Sequence, residues 1–202
     1  LGLVMAAKRL KYLAVSGSGK TPVADREGLK EAREQILRLT AASPVLMGQQ
    51  GFTCRGTGAL YDLMDSRAMM PTDNFRRTRF EEAANLNAHA FATRFPYKKH
   101  GCAGCHIQCK KVIHDDHGER SLPEFESLSH FTALIGNMDQ ELVVAANDLC
   151  NDLGLDTISA ASTLACYREV QGRELTPGVV LGLLREMGSG EGDNLELALG
   201  SR

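Results

Sequence analysis

Apolar side chains recur at three- and four-residue steps along most of this chain, and that spacing predicts helices because it gathers them on one face of a 3.6-residue repeat. Leu29, Ala32, Ile36, Leu37 and Leu39 form the first such stripe, with Asp25 placed to cap its start, and the stripe should pack on a core. Ser43-Pro44 ends it, and Gly48, Gly51, Gly56 and Gly58 mark a turn-rich stretch before an apolar run at 60–64. Glycines this dense imply that the backbone approaches something closely. Helical spacing resumes over 80–95 (Phe80, Ala83, Leu86, Phe91), over 139–153 (Leu142, Val143, Ala146, Leu149) and over 157–171. Thr176-Pro177 opens a further helix through Val180, Leu183 and Leu184, and a glycine-rich break at 188–192 separates it from 195–199. The chain therefore reads as mainly α and multihelical.

The N-terminal stretch breaks this pattern. The short apolar run at 11–15, stopped by Ser16-Gly17-Ser18-Gly19, predicts a strand that closes a domain lying upstream. Gly and Ser relax the backbone and Thr21-Pro22 removes a donor, so a linker follows. The expected organisation is a remnant of an N-terminal domain plus linker over 1–20 and a helical domain over 21–202. The absence of an initiator Met fits a fragment.

Composition narrows the function classes. With 202 residues, 43% of them hydrophobic, the chain has material for a sizeable core. A formal net charge of −2 argues against a nucleic-acid surface, which would concentrate Lys and Arg against phosphate. No run approaches the roughly 20 apolar residues that span a bilayer, and no charged n-region precedes a long apolar stretch, so no membrane partner is expected and the expected compartment is the cytoplasm. Six cysteines, three of them clustered, look like metal ligands plus reduced thiols rather than a disulfide framework.

The cluster is Cys102-Ala103-Gly104-Cys105-His106-Ile107-Gln108-Cys109, a C-x2-C-x3-C run that brings three thiolates to one metal centre and leaves a fourth position open. Such spacing suits an iron–sulfur cluster or zinc. For zinc, His100, His106, His114 or His117 would supply the nitrogen of a Cys3His site. For a larger cluster, Gly101 and Gly104 let the backbone fold tightly and aim amides at its sulfurs. A fourth thiolate would come from Cys54, Cys150 or Cys166, yet the last two sit in helical patterns where a thiol behaves as a small apolar residue. If none serves, the ligand lies outside this chain. The reverse spacing, C-x3-C-x2-C, belongs to radical chemistry on adenosylmethionine and is not present here.

A second constellation lies at 150–159, where a helical pattern halts at Gly154 and restarts after Asp156-Thr157. Taken alone it is a helix, a turn and a helix. Taken in order, Gly101 to Cys109, then Pro123-Glu124-Phe125-Glu126, then Asn151-Asp152-Leu153-Gly154-Leu155-Asp156-Thr157-Ile158-Ser159, the chain resembles the tungsten-containing aldehyde:ferredoxin oxidoreductase family. The opening residues 1–11 are similar to the end of that family's N-terminal domain, so the resemblance spans nearly the whole chain.

The resemblance implies a three-domain enzyme: a β-rich base for a tungsten (or molybdenum) bis-pterin, two helical domains over it, and a [4Fe-4S] cluster beside one pterin. This chain would be the middle, helical domain with a short strand remnant ahead of it. Cys102, Cys105 and Cys109 match the family's cluster thiolates, and the fourth would come from the C-terminal domain. The pterin-binding pattern falls on Asn151 to Asp156, with Asn151 replacing an Asp, Leu155 acting through its backbone, and Asp156 keeping its carboxylate. Glu126 matches a glutamate near the metal, where a carboxyl with a raised pKa moves protons as an aldehyde becomes an acid, against a solvated or salt-bridged glutamate as the plain alternative, with Glu124 close by. Electrons would pass from tungsten through the cluster to ferredoxin.

Within the family, members acting on other substrates, aromatic thioesters among them, share these cofactors, and family members often pair as homodimers. From a different class, the chain would be a zinc-stabilised, non-catalytic interaction domain. The fragment alone is expected to lack aldehyde oxidation.

Overall fold

A computed structural model describes residues 2–116 and 118–200, so His117 lies outside the described residues. The chain divides into two units, Leu1–Leu39 and Thr40–Arg202. In the first, helix α1 (Gly2–Ala7) is followed by irregular chain, and helix α2 (Arg26–Ala41) begins. Asp25 caps α2 as the sequence predicts, its Oδ1 accepting the Gly28 N–H at 2.9 Å. The strand expected at 11–15 does not form. A strand is stabilised by its ladder partner, none is present among the described residues, and Tyr12, Leu13 and Val15 stand exposed. The apolar stripe of α2 is likewise exposed, with Leu29 at 57% and Leu39 at 74%. Periodicity identifies which face is apolar without supplying what covers it.

The second unit holds one apolar core that runs from Tyr61 to Met187. Short helices α3 (Pro44–Met47), α4 (Phe52–Arg55) and α5 (Leu60–Ser66) lead into it. The helix expected over 80–95 is split into α6 (Ala83–Leu86) and α7 (Ala88–Arg94), because Asn87 turns extended and its side chain caps the Ala90 N–H. A three-stranded antiparallel sheet follows, β1 (Tyr97–His100), β2 (Lys110–Asp115) and β3 (Gly118–Ser121), in that order. Its pairing sets His100 opposite Lys110 and His114 opposite Glu119.

Helix α8 (Phe125–Ser129) passes directly into a π-helical turn at His130–Leu134, whose residues Phe131 to Leu134 are buried. The wider turn is held by Thr132, whose hydroxyl donates to the Leu128 carbonyl at 2.6 Å and meets the Tyr61 hydroxyl at 2.7 Å. The long helices α9 (Gln140–Leu153), α10 (Thr157–Gln171) and α11 (Pro177–Ser189) complete the core, each where periodicity predicts it.

Candidate functional site

The three clustered cysteines sit at the tip of the β1–β2 hairpin, because the ladder closes at His100 and Lys110 and leaves 101–109 as its loop. The Cys105 N–H donates to the Cys102 carbonyl at 3.0 Å, and Gly104 and Gln108 take left-handed φ of 77° and 50°. Gly101 closes the neck of the loop: a Cβ there would lie 2.9 Å from Gln108 Cα. Cys102 is exposed, and Cys105 and Cys109 are half-buried. Behind the tip, a Cβ on Gly56 would meet the Cys109 carbonyl at 2.9 Å, and Gly56 has a φ of +65°. Of the dense glycines, Gly56 alone meets the loop, whereas Gly48 and Gly51 pack on the Pro44 carbonyl and Gly58 on Ala88.

Sequence reasoning missed Lys111. On β2 it alternates with Ile113, so both side chains face inward, Lys111 at 4% exposure and Ile113 at 2%. Its ammonium donates to the carbonyls of Gln108 (2.8 Å), Cys109 (3.1 Å), Lys110 (3.2 Å) and Phe52 (3.2 Å). Burial lowers its pKa from the ordinary value.

The second constellation forms as a cap-to-cap turn. Gly154 is left-handed, its N–H bonds the Asn151 carbonyl and the Leu155 N–H bonds the Cys150 carbonyl, the two bonds of a Schellman ending. Asp156 then caps α10, Oδ1 accepting the Ser159 N–H at 2.7 Å, and that hydrogen bond holds its carboxyl below the usual value. Asn151 and Asp156 are exposed and Leu155 half-buried.

A cleft of about 340 Å³ joins this region to the hairpin, and Lys110, Lys111, Glu124, Glu126, Asn151 and Thr157 line it. Leu155 and Asp156 belong to the adjoining turn rather than to the lining. Glu126 is exposed on α8 between two anchored neighbours. The Phe125 N–H donates to Thr57 Oγ1 at 2.9 Å, and the Ser127 hydroxyl donates to Thr157 Oγ1 at 2.9 Å. Glu124 lies 3.9 Å from Lys110, so the two glutamates are told apart by their partners.

His130, also missed, stands one turn beyond Glu126. Its Nδ1 donates to the Glu126 carbonyl at 2.7 Å, which leaves Nε2 as the acceptor nitrogen of the neutral ring. Burial lowers its pKa, against the pull of that carbonyl and of the Glu126 and Asp156 carboxylates. The signal for it was the residue type one helical turn from a singled-out glutamate.

The remaining cysteines separate by burial. Cys150 is fully buried, and desolvation pushes its thiol up to about 12. Cys54 and Cys166 are half-buried. Among the described residues, no three His, Cys, Asp or Glu side chains converge on one ion position, and His114 pairs instead with Glu119 at 3.9 Å.

The family model for aldehyde ferredoxin oxidoreductase, domains 2 and 3, matches residues 31–202. A tungsten-containing aldehyde ferredoxin oxidoreductase of Thermococcus kodakarensis is 34% identical over 172 residues, 84% of this chain and 28% of the relative. Its counterpart in Pyrococcus furiosus is 33% identical over the same shares. An aliphatic sulfonate oxidoreductase, WOR-like subunit, of Pyrococcus furiosus is 26% identical over 85% of this chain and 28% of the relative. The chain thus spans less than a third of the length of these relatives.

Proposed function

Because the chain belongs to the aldehyde ferredoxin oxidoreductase family, we propose that it forms one wall of a tungsten–pterin centre where an aldehyde is oxidised to a carboxylic acid, and that it supplies three ligands of the [4Fe-4S] cluster through which the electrons leave for ferredoxin. The observation that carries this is the hairpin tip. Three thiols share one loop held open by left-handed residues, with a caged cation behind it. A cubane cluster takes each thiolate on a separate iron, so the three sulfurs do not have to meet at a point as they would for a single zinc ion. The donor set therefore fits the cluster.

The bound metal–pterin and cluster supply the redox chemistry, and the chain's own residues bind, orient and move protons. Cys102, Cys105 and Cys109 hold the cluster. At the cap-to-cap turn, the Asn151 amide, the Leu155 backbone and the Asp156 carboxylate offer polar atoms to the pterin's amino groups. Asp156 Oδ1 also caps α10 through the Ser159 N–H. Oxidation of an aldehyde with water releases protons along with electrons, and the Glu126 carboxylate on the cleft is placed to take one. Its pinned neighbours, Phe125 and Ser127, fix where it stands. The higher identity to the aldehyde enzymes, 34% against 26% for the sulfonate enzyme, favours an aldehyde substrate.

The test is aldehyde-dependent reduction of ferredoxin by the full-length protein that carries this sequence, prepared without oxygen and with tungstate. Glu126→Gln should lower kcat by about 10²- to 10⁴-fold with metal content unchanged. Full activity in that variant would remove Glu126 from the mechanism. No aldehyde oxidation by the loaded wild type would refute the function.

A further inference from the structure

We propose that Lys111 is a positioning residue for the cluster: its ammonium fixes the Cys109 end of the hairpin loop in its ligating shape and sets a positive charge beside the cluster, which raises its reduction potential. This rests on the cluster assignment of Cys102, Cys105 and Cys109.

The geometry has three parts. First, the lysine is buried by register rather than by chance, since Lys111 and Ile113 are alternate residues of β2 and share its inward face. Lysine is almost never fully buried unless its charge is compensated. Second, among the described residues the compensation comes from backbone carbonyls rather than a carboxylate: Gln108, Cys109, Lys110 and Phe52 accept from Nζ at 2.8–3.2 Å. An ammonium has three N–H donors and no acceptor, so an all-acceptor shell suits its charged form, with one N–H shared between two of the four carbonyls, and would repel the lone pair of a neutral amine. Third, three of those carbonyls are consecutive and run from the end of the cysteine motif into β2, whereas the fourth belongs to α4. The cation therefore ties the loop to the rest of the unit. Gly56, the residue that ends α4, packs against the same Cys109 carbonyl, so the loop is held from two sides at one peptide.

Among the described residues no carboxylate forms an ion pair with Lys111; carbonyl dipoles solvate the ammonium without cancelling its net charge, which acts on nearby groups in a site of reduced dielectric. Reduction adds one negative charge to a cluster, and a fixed cation favours the state that carries it. Hydrogen bonding, charge and burial are the means by which a protein tunes such a potential. Aligning the Gln108, Cys109 and Lys110 carbonyls toward Nζ also turns the opposite ends of those peptides, their N–H groups, away from the ammonium.

Two variants test this in the full-length protein that carries the sequence. Lys111→Met removes charge and donors together, and Lys111→Gln removes the charge but keeps N–H donors. In anaerobically prepared protein, Lys111→Met should lose iron to a chelator at least tenfold faster than wild type. Lys111→Gln should hold the cluster and shift its midpoint potential, read by electron paramagnetic resonance during a redox titration, to more negative values. A tenfold change in the one-electron equilibrium corresponds to about 59 mV, and that is the shift expected. Wild-type potential in Lys111→Gln overturns the electrostatic role, even if Lys111→Met fails to fold. Wild-type iron retention in a folded Lys111→Met overturns the positioning role. A wild-type protein that takes up no iron instead refutes the cluster assignment beneath both.

Discussion

At the scale of single residues, the burial of polar and reactive groups decides what each one does. Cys150 has the identity of a ligand and the environment of a core side chain: fully buried, with its thiol pushed up to about 12 by desolvation. In metal-free protein, mass spectrometry after iodoacetamide treatment should find Cys102 alkylated and Cys150 unmodified until the protein unfolds. Asp156 serves as the cap of α10 as well as a proposed pterin contact. Asp156→Ala should cost about 1 kcal/mol of stability, measured by urea unfolding. Its carboxyl is held below the ordinary value, so the ionised cap contributes stability above the unfolded-state pKa, and that contribution is lost as pH falls through the folded one. Asp156→Asn, which still caps, should remove that part of the acid sensitivity. Both the cysteine run and this cap were legible in the sequence, because each is a residue type whose chemistry works at a fixed local spacing. Lys111 was not. Lysine is ordinarily solvent-exposed, and only its alternation with Ile113 on a strand marks it as inward-facing.

At the scale of elements, helices α9, α10 and α11 were readable because a long apolar stripe repeats the same message several times over. Short elements carry too few repeats for that. The segment 80–95 kept helical spacing throughout, yet Asn87 found a local capping bond and split it into α6 and α7. The strands went unread for the same reason: β1 is Tyr-Lys-Lys-His, and in β2 the inward face is one lysine and one isoleucine. What makes them strands is their pairing with one another, which no single segment encodes. The helix packing yields its own prediction. A Cβ on Gly188 of α11 would lie 2.6–2.9 Å from the side chain of Leu153 at the end of α9. Gly188→Ala should therefore destabilise the fold by about 1–3 kcal/mol, with urea unfolding as the measurement. An unchanged midpoint would mean that the two helices separate more freely than their contact implies.

At the scale of the whole molecule, strand β2 just after the cysteine loop, helix α8 and the two ends of the α9–α10 turn line one cleft, through Lys110 and Lys111, Glu126, and Asn151 and Thr157. The order of those motifs was legible. Their convergence was not, because it depends on how the sheet packs on α9 and on the Ser127 to Thr157 bond between α8 and α10. The chain covers 28% of the length of the aldehyde enzyme it matches, and the proposal to be tested is what this wall itself holds. The direct measurement is anaerobic loading of the full-length protein that carries this sequence with iron, sulfide and zinc together, followed by metal analysis and a visible spectrum. A cluster on this loop gives about four irons per chain with broad thiolate-to-iron absorption, both lost in Cys105→Ser. A single tightly held zinc ion and no iron would contradict it.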